Sequence, residues 1–185
     1  MLARCAAFLV FSSALISALP AQTASGEWID VPFVAQPRDG CGAASLAMVM
    51  QYWAAQHHST AGPAAGVSAI QRQIFSPRRH GSTPEAMEAY LRQNGFEAFA
   101  FSGTWSDLAR HIGKGRPLIV ALRPRGQTDL HYVVVAGIDP ARNLVMMNDP
   151  ADRKLLTEER ADFEKDWSAT HDWTLLALPE PHPTE

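Results

Sequence analysis

Cysteine is nearly absent from this 185-residue chain, which carries only Cys5 and Cys41. Cys5 falls in an apolar N-terminal stretch that reads as a removable leader, so the mature chain keeps one cysteine and no internal disulfide can brace it. The fold has to hold through its core, for which 46% hydrophobic residues give ample material. Charge of one sign is also missing. Charged residues make up 19% of the chain, the two signs are mixed, and the net charge is −3. No basic stripe is present, so nucleic acid is not an expected partner. Membrane-length apolar runs are lacking too. The only candidate, Cys5 to Leu19, has roughly 15 residues, short of the ~20 a helical span needs.

Met1 to Arg4 carry one positive charge, the apolar run follows, and Pro20-Ala21 supply a small-residue exit. That is the pattern of a secretory signal peptide, with cleavage expected after Ala21 and a periplasmic or extracellular destination. Cys5 opens the apolar run instead of following it and so does not fit a lipid-anchored cysteine. The expected division is 1–21 signal peptide, 22–30 N-terminal segment, 31–178 one folded domain and 179–185 a loose tail. No internal repeat is visible, and a monomer is expected.

Glu27 to Ala35 reads as an extended entry. Cys41 to Gln56 is a helix apolar nearly all round, which implies burial. Val67 to Phe75 is a short helix stopped by Pro77, and Ser76 to Gly81 a basic surface loop. Ser82 and Thr83 cap a helix that has Pro84 at its first position and stops at Asn94-Gly95. Phe96 to Phe101 alternates as a strand, Thr104 to Ile112 is a capped helix, and Pro117 to Leu122 is a buried strand. His131 to Ile138 and Leu144 to Met147 form an antiparallel pair around the turn Asp139 to Asn143. Leu155 to Trp167 is expected to carry a helix and Thr174 to Leu178 a last strand. Helices gather in the first half and strands in the second, which argues for an α+β domain with a helical lobe on an antiparallel sheet.

Cys41 stands at the first turn of its helix between Gly40 and Gly42. The positive end of the helix dipole favours a thiolate there, and flanking glycines let the backbone turn and a substrate come close. Two later features complete a thiol site. His131 opens its strand about 90 positions on, and Asp149, in Met147-Asn148-Asp149-Pro150, ends the paired strand. Hairpin pairing sets the start of one strand beside the end of the other, so His131 and Asp149 are expected side by side, with Asn148 the alternative partner. A thiol nucleophile needs a base, the base needs an orienting group, and the oxyanion needs donors. The Gln36 amide, five residues before Cys41, can reach the same pocket as the Cys41 N–H.

Gln36 with Cys41-Gly42-Ala43-Ala44 on a buried helix, His131-Tyr132-Val133-Val134-Val135 on a strand, and Asn148-Asp149-Pro150 resemble the cysteine peptidases of bacteriocin exporters. The chain is more similar still to their free-standing secreted relatives, from about Val31 to Leu178. The resemblance implies a papain-like fold and peptide-bond hydrolysis. Its roles would fall to Cys41 as nucleophile, His131 as general base and acid, Asp149 as orienting carboxylate and Gln36 as oxyanion donor. Gly40, Gly42 and Tyr132 are the candidate substrate-binding positions. Exporter domains cut leader peptides after a double glycine and commonly carry Asp directly before the Cys. Here Gly40 stands there and Asp39 one step earlier, which bears on double-glycine specificity. No transmembrane bundle follows, and Gly113-Lys114-Gly115 lacks the spacing of a phosphate-binding loop, so transport and ATP use are not expected.

No cofactor is called for. His57-His58 are adjacent on a helix and point apart, so no metal site is expected. Arg78-Arg79-His80 reads as a solvated loop, with contact to substrate the alternative. The expected partner is a peptide or protein substrate. An amidase or acyltransferase using the same groups, and a catalytically silent peptide-binding module, remain alternatives.

Overall fold

Small residues decide where the first long helix goes. The computed structural model describes residues 26–57, 61–126 and 128–181; the expected signal peptide, residues 1–21, lies outside them. In chain order the elements are β1 (Glu27–Trp28), α1 (Cys41–Gln56), a 3-10 turn over Pro63–Ala65, α2 (Val67–Ile74), β2 (Phe75–Ser76), β3 (Gly81–Ser82), α3 (Pro84–Gln93), β4 (Phe96–Ser102), α4 (Trp105–Ile112), β5 (Leu118–Leu122), β6 (His131–Asp139), β7 (Leu144–Asn148), β8 (Leu156–Glu159), α5 (Arg160–Ser168) and β9 (Trp173–Pro179). Every residue of α1 from Gly42 to Met50 is buried. Its alanines at 43, 44 and 47 let neighbours approach on several sides at once, as the all-round apolar pattern implies.

The sheet has seven strands, all antiparallel, in the order β4-β9-β5-β6-β7-β8, with β1 pairing β6. Strand β9 lies between β4 and β5 although it follows both in the chain. All five residues of β5 are buried, and so are all of β6 after His131. Neighbouring residues on a strand face opposite ways, so both faces of this central pair are covered. Helices α1, α2 and α3 pack on one another as a helical lobe, and α1 lies on β6.

The capped helices appear as read. Thr83 accepts a hydrogen bond from the Ala86 N–H at the start of α3, and Thr104 with Asp107 forms a reciprocal capping box on α4. Three expectations need correction. The extended entry is a strand only at Glu27–Trp28, because the Val31 N–H folds back onto the Ile29 carbonyl and Pro32 has no N–H to give. The basic loop after α2 is closed by a two-strand ribbon, with Phe75 opposite Ser82 and Ser76 opposite Gly81. The stretch read as a helix from Leu155 begins instead as β8, which pairs with β7 at the sheet edge, and α5 starts only at Arg160.

Leu46 is wholly buried in the core, so Leu46→Ala is expected to cost about 2–5 kcal/mol. Thr104→Ala, which removes one exposed cap, is expected to cost ~1 kcal/mol. Equilibrium chemical denaturation of the two variants checks both values.

Candidate active site

A four-residue turn delivers the thiol. The Gly40 N–H donates to the Pro37 carbonyl at 2.9 Å, and Asp39 sits at φ 55°, in the left-handed region. A Cβ at Gly40 would lie 2.7 Å from the Pro37 ring and 2.9 Å from its carbonyl oxygen. Only glycine fits this turn without a shift of its neighbours. The Gln71 side chain of α2 donates to the Arg38 carbonyl at 2.8 Å and pins the turn from outside. Cys41 then begins α1, half-buried, with its Sγ 3.9 Å from the Leu130 carbonyl. As the first residue of the helix, its N–H has no carbonyl partner within α1.

Strand β6 brings His131 to the thiol. The Ser45 hydroxyl, one turn beyond Cys41, donates to the buried Tyr132 carbonyl at 3.1 Å. His131 Nε2 is 2.8 Å from Asp149 Oδ1, and both side chains are largely buried, with 19% and 17% exposure. The contact is diagonal rather than directly across the hairpin. Asn148 pairs with Val134, so Asp149 continues the register opposite Val133, two residues from His131, still within reach of a side chain. Asp149 is steadied in turn, its Oδ1 accepting from the Ala151 N–H at 2.8 Å. With Nε2 held by Asp149, Nδ1 is the ring nitrogen left for Cys41.

Electrostatics favour a charged pair. Burial alone would lower the His131 pKa, but the Asp149 carboxylate and the Cys41 sulfur outweigh it and raise the value to about 9. Burial likewise works against Asp149, yet the hydrogen bond and charge of His131 hold its carboxyl below the usual range. An imidazolium therefore persists beside the sulfur at neutral pH.

Asn148, the alternative partner, is committed elsewhere. It is fully buried, its Nδ2 donates to the Val31 carbonyl at 3.1 Å, and its Oδ1 accepts from the Leu155 N–H at 3.0 Å. Gln36 joins the site through its backbone, whose N–H donates to the Pro150 carbonyl at 2.9 Å. Its Oε1 is buried and has no hydrogen-bond partner among the described residues. Gly42 and Tyr132 are inside rather than on the cleft surface. A Cβ at Gly42 would meet Ser82 at 2.9 Å. The Tyr132 hydroxyl, which burial keeps protonated, donates to the Ser82 carbonyl at 3.3 Å, and its ring packs edge-on against Trp173. Sequence reasoning missed Ser45, Ser82 and Leu130. Leu130 is signalled only by preceding His131. Among the described residues no group of three or more His, Cys, Asp or Glu is placed to hold a metal ion.

Removing the Ser45 hydroxyl should loosen the thiol from the imidazole more than it loosens the fold. Ser45→Ala is expected to cost ~1 kcal/mol while slowing Cys41 alkylation several-fold. Denaturation and labelling rates on the same sample separate the two effects.

A family model described as the Peptidase_C39 like family matches residues 28–174. No curated protein sequence matches the chain. The peptidase domain of Streptococcus ComA, a bifunctional ABC transporter involved in a quorum-sensing pathway, is 21% identical with a TM-score of 0.63, over 80% of this chain and 98% of that one. A C39-like peptidase from Bacillus anthracis is 18% identical with a TM-score of 0.61, over 84% of this chain and 99% of that one. A double-glycine-motif protease from an AMS/PCAT transporter, solved with its leader peptide, is 22% identical with a TM-score of 0.62, over 83% of this chain and 94% of that one. At these identities the likeness is one of fold, the papain-like arrangement of a helical lobe on an antiparallel sheet. The site geometry, that shared fold and a family match running from Trp28 to Thr174 place this chain in the Peptidase_C39 like family.

Proposed function

We propose that this protein is an exported cysteine peptidase. The observation that carries the reading is His131 held by Asp149 through Nε2, with its other nitrogen left for a thiol at a helix start. The Cys41 thiolate attacks the carbonyl carbon of a peptide bond. The Cys41 N–H and the Gln36 side-chain amide hold the oxyanion, donors whose loss typically costs roughly 10²–10³ in rate. The His131 imidazolium gives its proton to the departing amine, leaving a thioester on Cys41. His131 then takes a proton from water, whose oxygen attacks the thioester carbonyl. The acid leaves and the thiolate–imidazolium pair is restored.

The test begins with the single thiol of the mature chain. Alkylation by iodoacetamide should be fast near neutral pH and should slow several-fold or more in His131→Ala. Equal rates for the two proteins would sink the reading and leave a binding module. A panel of peptides and amides then separates hydrolysis from acyl transfer by its products.

His131 must be protonated to act, so peptidase activity is expected to fall as pH rises through about 9. The Asp149 carboxylate is what raises that value, and Asp149→Ala should move the alkaline limb down by about one unit or more. The same pair contributes to stability. The His131 share is complete below its ordinary 6.5 and is lost as pH climbs through about 9. The Asp149 share is complete above its ordinary 3.8 and is lost as pH falls below it. Both are in force between those values, and urea titrations at several pH values should show a maximum there that Asp149→Ala flattens.

Export is supported by the apolar leader read in residues 1–21. N-terminal sequencing of protein from the cell envelope or medium should begin at Gln22. Retention of Met1 would overturn that part of the proposal.

A further inference from the structure

A second feature lies against the site and the chemistry above does not use it. A cavity of about 230 Å³ opens between the β2–β3 ribbon and the loop before β6. Leu130, whose carbonyl faces the Cys41 sulfur, forms part of its wall. Ser82, which lies against Gly42, the residue after Cys41, forms another part. The volume is below the 300–1,000 Å³ usual for a whole small-molecule site, and it suits one side chain of a longer ligand.

The walls carry charge, and the two signs are not equivalent. Arg79 and Arg123 line the cavity, and neither has a carboxylate within ion-pair distance among the described residues. Arg123 is fixed in place, its backbone N–H donating to the Asp166 carbonyl and its Nη1 to the Ala169 carbonyl, both at 2.9 Å. Its Nε is buried and has no acceptor. Glu85 and Asp129 also border the cavity, and both are exposed, as Arg79 is, so water and salt screen the three rim charges alike. Arg123, half-buried and held in place, is the least screened charge on the wall, and attraction for an anion strengthens as water is excluded.

From this we propose that the cavity is a specificity subsite for an acidic residue, Glu or Asp, of the peptide, with Arg123 as its recognition residue and Arg79 reinforcing it from the rim. It rests on the proposed function only in taking the ligand to be a peptide. The basic loop Arg78-Arg79-His80 thereby gains a role.

The test measures binding apart from turnover. Cys41→Ala protein is titrated by fluorescence anisotropy with short labelled peptides that differ at one scanned position, carrying Glu, Gln or Lys. At one position Glu should bind roughly 10-fold or more tighter than Gln, with Lys weakest and the preference shrinking at high salt. Arg123→Gln should erase the preference, Arg123→Lys should keep part of it, and the exposed Arg79→Gln, which risks no packing, should reduce it. Equal binding of Glu and Gln, a Lys preference, a preference that survives both Gln variants, or no binding at all overturns the proposal. Turnover of the same peptides by the unsubstituted protein keeps the two readings apart. Cleavage without acidic preference overturns the subsite alone, whereas acidic preference in binding without cleavage overturns the peptidase alone.

Discussion

The docking of one helix on one strand carries the rest of the site. Helix α1 is buried against β6, and the Ser45 hydroxyl on the Tyr132 carbonyl fixes their relative position. Residues four apart share a helix face, so Cys41 stands one turn from Ser45 on the same side. His131 precedes Tyr132 by one residue. A single buried hydrogen bond thus sets sulfur and imidazole in register, and neither reacting group has to supply that energy itself. Around this joint the other parts only refine: the Pro37–Gly40 turn aims the thiol, and Asp149 aims the ring.

Much of this was legible because short-range physics decided it. Cys41–Gln56 is helical at the bounds its apolar pattern gives. The caps at Thr83 and Thr104 sit where their hydroxyls meet free N–H groups. The meeting of His131 and Asp149 followed from hairpin logic, although the register makes it diagonal. What failed depended on partners distant in sequence. Leu156-Thr157-Glu158-Glu159 carries two carboxylates and little strand propensity, and it is a strand because β7 offers an unpaired edge. Strand β4 lies between two helices in the chain yet joins the sheet, so helices and strands do not divide cleanly between the two halves. Gly42 and Tyr132 were candidate substrate-binding positions, Gly42 because glycine lets a substrate come close. Alternation along a strand and packing against Ser82 turn them inward instead.

The site is also economical in its connections. Gln36 and the Asp149 loop meet at one backbone hydrogen bond, from the Gln36 N–H to the Pro150 carbonyl. The segment before Cys41 and the loop that carries Asp149 are thereby linked directly. Asn148 underlies the same junction, tying residue 31 to residue 155 through its two amide ends.

The place of β9 has a consequence for how the molecule comes into being. Of the described strands it is made last, yet it fills the gap between β4 and β5. During chain synthesis Cys41 emerges early and His131 long after it, and the sheet that backs them stays open until the final segment inserts. A growing chain therefore cannot join β4 to the rest of the sheet until its last described strand is made.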